Sequence, residues 1–193
     1  MQIDPLIEGK YLKTLKYAAD INSAEKEYGI PSGLLAGLVM HESGGNPRAV
    51  SRVGAGGLTQ LMPATAKELG AKVWWYGSED KLPVKSVAYG DSLSALVKMY
   101  KKNSKELAKM DERFNPRKNI YEGAEYFRRL YNQLGDWDLA LKAYNVGPNH
   151  KKFHRINSGY PKTARRYQEY WNGRNNRRLP EFAYSSSNTP GKL

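Results

Sequence analysis

The chain has 193 residues, no cysteine, and 31 Lys or Arg against 19 Asp or Glu, a formal net charge of +12. Without cysteine there is no disulfide, thiolate metal site or thiol nucleophile. With 40% apolar residues the chain can build a core, which excludes global disorder, and its charge favours polyanionic partners: nucleic acid, an anionic membrane surface or an acidic wall polymer.

Residues 11–28 read as an amphipathic helix punctuated by Leu12, Leu15, Ala19 and Tyr28, with Gly29 as its stop. Pro31 opens the next helix, whose run from Leu34 to Met40 is apolar nearly all round and therefore buried. It ends at His41-Glu42-Ser43-Gly44-Gly45. Residues 46–62 are glycine-rich, with Gly54, Gly56 and Gly57 predicting tight turns or a small β element near 48–60. Pro63 starts a short helix that Gly70 closes. Asp91 reads as the N-cap of a helix carrying Leu93, Leu96, Val97 and Tyr100. Asn115-Pro116 opens a helix ended by Gly135, and Asp136 caps another reaching Ala143 or Tyr144. Residues 145–148 read as a turn and 163–171 as a last helix.

These elements predict a mainly α fold. The expected organisation is one domain over 1–175, interrupted by an insertion at about 71–113 and followed by a flexible tail at 176–193. Residues 151–178 carry nine Lys or Arg and one Glu. No apolar run approaches the roughly 20 residues of a membrane span. The first residues lack a basic stretch followed by an apolar one, so no signal peptide is read there.

One carboxyl stands out. Glu42 follows an apolar helix, where burial and the negative end of the helix dipole both favour its protonated form. A carboxylic acid held neutral near pH 7 is what a general acid requires. The alternative is an ordinary surface Glu on the last helical turn.

The segment after it narrows the choice. Glu42-Ser43, Asn46-Pro47, Ser51, Gly54-Ala55, Gly57-Leu58, Gln60-Leu61-Met62-Pro63 and Thr65-Ala66 resemble the catalytic signature of soluble lytic transglycosylases, which have the goose-type lysozyme fold. Asn115-Pro116, Asn119-Ile120, Gly123 and Tyr126-Phe127 are similar to that family's second block. Ala143-Tyr144-Asn145-Val146-Gly147-Pro148 is similar to the third, and Tyr160-Pro161-Lys162-Thr163 through Tyr167 to the fourth, with Lys162 where the family usually has Glu.

The resemblance implies a lysozyme-like helical domain that cleaves the β-1,4 bond between N-acetylmuramic acid and N-acetylglucosamine in peptidoglycan. Glu42 would protonate the glycosidic oxygen. It would then take the proton of the muramic acid C6 hydroxyl as that oxygen closes a 1,6-anhydro ring. Ser51 would hydrogen-bond near the acid or to sugar, Gln60 would bind an N-acetyl or hydroxyl group, and Met62 would floor the sugar. Tyr144 would set its hydroxyl near Glu42, and Asn145 would hold the turn or touch sugar. Met62 reads equally as core and Asn145 as a turn former. In the insertion, Trp74, Trp75 and Tyr76 would either wall the glycan cleft or pack the insertion down.

A hydrolytic muramidase is the alternative chemistry, with Asp80, Asp91 or Asp111 as the water-activating partner. The alternative of another class is a basic nucleic-acid- or wall-binding module without catalysis. There Phe153, Tyr160, Tyr167, Tyr170 and Trp171, interleaved with cations, would stack on bases. No nucleic-acid motif supports it. No cofactor or metal is expected, because Gly45 stands where a His-Glu-x-x-His site needs its second histidine. The expected partner is the peptidoglycan glycan strand, met as a monomer. The expected setting is phage lysis or virion-associated wall degradation, with delivery from the host cytoplasm by a holin, a virion or a secretion machine.

Overall fold

The computed structural model describes residues 4–75, 87–151, 153–156 and 159–176. The expected tail from 177 onward, Tyr76 and Asp80 lie outside them. Among the described residues the fold is helical: α1 (Pro5–Thr14), α2 (Ala18–Glu27), α3 (Leu34–Glu42), α4 (Pro63–Glu68), α5 (Val87–Met99), α6 (Ser104–Met110), α7 (Pro116–Leu134), α8 (Trp137–Val146) and α9 (Tyr160–Asn176).

Helix α3 is the central element. Every residue from Leu34 to Met40 is buried, as its apolar composition predicts. Its first turn offers backbone N–H groups with no partner inside the helix, and Gly33 at its N-cap has no side chain to take them. The buried Glu25 of α2 does so instead, accepting from Gly33 N and Leu35 N at 2.9 Å and from Ala36 N at 3.4 Å. Burial pushes the Glu25 carboxyl up to about 7, while those three amides favour the anion.

Helix α9 runs antiparallel along α3. Gln168 Nε2 donates to Ser32 O at one end and the His41 and Tyr160 rings meet at the other. Between them Gly37 faces the α9 backbone: a Cβ there would lie 2.4 Å from Ala164 O and 3.0 Å from Gln168 N. Gly37→Ala is expected to destabilise the fold by about 2 kcal/mol, because the overpacking penalty exceeds the gain in helix propensity. Gly9→Ala, where a Cβ meets nothing within 4 Å, serves as its opposite. It should be neutral or stabilising by up to about 1 kcal/mol, read by thermal denaturation of both variants.

Several boundaries differ from those predicted. The expected helix at 11–28 begins earlier, at Pro5 behind an Asp4 cap, and a 3-10 turn at Leu15–Tyr17 divides it. Asp91 is not an N-cap, since α5 starts at Val87 and places Asp91 exposed within its second turn. Helix α6 was not anticipated. Helix α8 continues through Asn145 to Val146, so the turn begins at Gly147, whose φ is +86°. Helix α9 spans 160–176 rather than 163–171. The caps at Asn115 and Asp136 stand, with the Asp136 carboxylate accepting from Asp138 N and Leu139 N at 2.8 Å.

Within the region predicted as an insertion at about 71–113, the described residues Tyr89, Leu93, Leu96 and Leu107 form a small core together with Phe114 just after it. It is fastened by a fully buried ion pair, Arg113 to Asp111 at 2.6 Å. Arg113 also donates to Gly54 O at 2.8 Å, Leu61 O at 3.2 Å and the Tyr89 hydroxyl at 2.7 Å. Burial opposes the guanidinium charge, but Asp111 and Tyr89 outweigh it and its pKa rises.

Candidate active site

Glu42 closes α3, so the helix that forms the core delivers it to the site. Its carboxyl is largely buried, and Oε1 accepts a hydrogen bond of 2.5 Å from the Tyr160 hydroxyl at the start of α9. Burial pushes the Glu42 carboxyl up to about 7, and the Tyr160 bond partly opposes the rise. The Tyr160 pKa is itself pushed well above its ordinary value, first by burial and then by Glu42, so the hydroxyl keeps the proton it donates to the carboxyl. The sequence places Tyr160 in the fourth block and offers it only as a stacking ring, not as a partner of Glu42. Its contact spans 118 residues, and only the α3–α9 crossing reveals it.

The turn after Glu42 is set locally. Ser43 Oγ donates to Val39 O and accepts from Gly45 N, both at 3.2 Å. The glycine-rich segment then folds as two isolated antiparallel bridges, Val50 to Gly56 and Gly56 to Leu61, at the place predicted for a small β element. Asn119 of α7 keys this segment to the core: its Oδ1 accepts from Thr59 N at 2.8 Å and its Nδ2 donates to Gly56 O at 3.3 Å. Gly57 has φ +83°, and a Cβ there would lie 2.1 Å from Arg113 O.

The other predicted residues divide. Tyr144 lies close enough for the Glu42 charge to raise its pKa, after burial, well above the ordinary value. Its hydroxyl, however, donates 2.9 Å to Thr59 O, so Tyr160 and not Tyr144 bonds the carboxyl. Ser51 Oγ accepts from Ala55 N at 2.9 Å and so locks the turn. Gln60 has φ +52°, and its Nε2 donates to Ala49 O at 3.0 Å and Gly57 O at 2.9 Å, bracing the same segment. Met62 is partly exposed at the N-cap of α4, and Asn145 is exposed on the last turn of α8.

Trp74 and Trp75 pack against Tyr89, with ring centroids 6.4 and 5.1 Å away, which supports the packing alternative for them. Asp111, offered as a water-activating partner, is consumed by its ion pair with Arg113. The stacking platform expected of a nucleic-acid binder is also committed elsewhere: Phe153, Tyr160, Tyr167 and Trp171 are buried. Arg165, Arg166 and Arg174 pair with Asp138, Asp4 and Glu8.

The family model of the transglycosylase SLT domain matches residues 20–108 and 92–166. The chain belongs to this family. Among relatives of the SLT chain is the transglycosylase of Enterobacteria phage PRD1, 32% identical over 147 residues, 76% of this chain and 41% of that protein. Another is membrane-bound lytic murein transglycosylase F 1 of Alkalilimnicola ehrlichii, 29% identical over 143 residues, covering 70% of this chain and 21% of that one. The SLT chain thus spans less than half the length of these relatives. A solved structure of an inactive variant of lytic transglycosylase Slt from Pseudomonas aeruginosa matches 82% of this chain and 24% of its own, with TM-score 0.56 and 22% identity. That likeness establishes the lysozyme-like fold. Among the described residues, no helix is long and apolar enough to cross a membrane.

Proposed function

We propose that this chain is a peptidoglycan lytic transglycosylase in which Glu42 acts first as general acid and then as base. The observation that carries the reading is the Glu42 carboxyl itself, partly buried, raised to about 7 and bonded by Tyr160, in a chain of the SLT family. At that pKa the group holds a proton to give to the glycosidic oxygen and, once ionised, accepts one from the muramic acid C6 hydroxyl. Because the substrate's own hydroxyl attacks, no second carboxylate is required. Hydrolytic glycosidases need one as nucleophile or as base for water. The engaged state of Asp111 supports this pathway over a muramidase. Asn145, exposed, and Met62, partly exposed, are the sugar contacts we assign, while Ser51, Gln60 and Tyr144 act by holding the site.

Mass spectrometry of soluble products from purified peptidoglycan tests the reaction. Muropeptides ending in 1,6-anhydro-muramic acid, lighter by one water, are expected. Reducing-end products would instead make the protein a muramidase, and no products from several wall types would return the binding-module reading.

The pH dependence has a definite sign. Glu42 must begin protonated, so cleavage falls as pH rises through about 7. Tyr160→Phe removes a donor that favours the carboxylate, so the carboxyl pKa climbs further. The falling limb should move up by roughly one pH unit, given what a hydrogen bond to a charged group contributes. An unmoved limb in the pH–rate profile would remove Tyr160 from the mechanism.

We place the activity in phage-driven opening of the wall, supported by the PRD1 relative. Immunodetection in purified particles, against detection only in late lysates, separates a virion role from a lysis role.

A further inference from the structure

Helix α1 lies ahead of the residues that match the family, yet it underlies the site. It is pressed against the turn that follows Glu42: a Cβ at Gly45 would lie 2.6 Å from Thr14 N, and one at Gly44 would lie 3.4 Å from the Lys10 side chain. On the same side Lys10 Nζ donates 2.9 Å to the Tyr167 hydroxyl and stands 4.8 Å from the centre of that ring. The Tyr167 ring faces His41 at 6.2 Å between centroids, and His41 packs on Tyr160 at 4.2 Å. Tyr160 bonds Glu42. A continuous row of side chains therefore leads from a cation on α1 to the carboxyl.

We propose that Lys10 is a positioning residue for the Glu42–Tyr160 pair, acting through Tyr167 and His41. The inference rests on the reading of Glu42 as the acid. Two effects carry it. The first is orientation. Lys10 fixes the Tyr167 hydroxyl, the Tyr167 ring backs His41, and His41 limits the tilt of the Tyr160 ring whose hydroxyl meets Oε1. The second is charge. His41 precedes Glu42 directly, and an imidazolium there would favour the carboxylate and strip the acid of its proton. The groups around His41 are Lys10 from α1 and the Tyr160 and Tyr167 rings from α9, with Glu42 next to it in the chain. Lys10 is the cation among them. Burial first, and the Lys10 ammonium second, lower the His41 pKa and so favour the neutral ring.

The test compares Lys10→Met and Lys10→Arg in the full chain, each checked for folding by circular dichroism. The His41 imidazole is titrated by NMR without substrate. Lys10→Met should raise the His41 pKa by about half a unit or more, as expected for loss of a nearby like charge. On a short soluble glycan, its kcat should fall several-fold with little change in KM. The loss should be larger at about pH 5.5 than at about pH 7.5, on either side of the ordinary histidine value. Lys10→Arg should restore the low His41 pKa and most of kcat. Tyr167→Phe, which releases the ammonium but keeps the ring, should lower kcat while His41 stays below its ordinary value. An unchanged His41 titration in folded Lys10→Met, or an Arg variant as impaired as the Met variant, would overturn the proposal. The titration needs no turnover, so it reads the coupling even if Glu42 proves not to be the acid.

Discussion

Glu42→Gln is expected to cut glycan cleavage by on the order of 10²–10⁴-fold while leaving the fold intact. Gln keeps the size of the side chain and an oxygen that accepts the Tyr160 hydroxyl, but it can neither give nor take the proton. Stability supplies an independent check. The folded pKa of Glu42, about 7, lies above its ordinary 4.5. Stability is therefore fully present below about 4.5, is lost as pH rises through 7, and levels off beyond. At about 1.4 kcal/mol per unit, the ionised carboxyl costs the wild type up to about 3 kcal/mol. The variant should consequently melt higher than wild type at pH 8 and level with it at pH 4. Strong residual cleavage would remove Glu42 from the reaction. An equal melting difference at both pH values would show that its carboxyl is not held above the ordinary range.

Asp111→Ala should be the most destabilising of the substitutions considered. Asp111 and Arg113 are both without solvent exposure, and removing one partner strands the other's charge in the interior. Breaking a buried pair in this way costs about 3–5 kcal/mol. For a domain of this size that corresponds to a fall in Tm of roughly 6–20 °C. Chemical and thermal denaturation followed by circular dichroism will measure it. Arg113 also carries the carbonyls of Gly54 and Leu61, so the glycine-rich segment should loosen with it. Amide exchange in residues 50–61 should speed up more than exchange in α3. A loss below about 1 kcal/mol would mean that the pair does not hold the inserted region to the core.

Much of this architecture is readable from local pattern. The apolar run 34–40 announces a buried helix, and the Asx–helix caps at Asn115 and Asp136 and the stops at Gly29 and Gly135 sit where short-range backbone chemistry puts them. Glu42 was legible because an acidic residue ending such a helix contradicts its surroundings. What escaped reading depends on distant partners. Nothing near Tyr160 in sequence says that its hydroxyl meets a carboxyl on α3. Glu25 looks like any surface Glu until α3 is set upon it. Asp91 has the composition of a cap, but the helix had already begun four residues earlier, at Val87. Gln60 and Ser51 attract attention as polar residues in a binding loop, yet their hydrogen bonds turn inward because that loop carries many backbone groups needing partners.

The antiparallel contact of α3 and α9 acts as a vernier. Glu42 lies five residues along from Gly37 and Tyr160 four residues back from Ala164, so both ends of the reactive pair are measured from one close crossing of backbones. A helix advances about 1.5 Å per residue, so slippage by even a fraction of a residue would part the Tyr160 hydroxyl from its carboxyl. The spacing of carboxyl and donor is thus held by the bare backbone at Gly37, five residues along the helix from the acid. The pKa of the proposed acid could be retuned by trading one small residue for another at that crossing, with Glu42 and Tyr160 themselves unchanged.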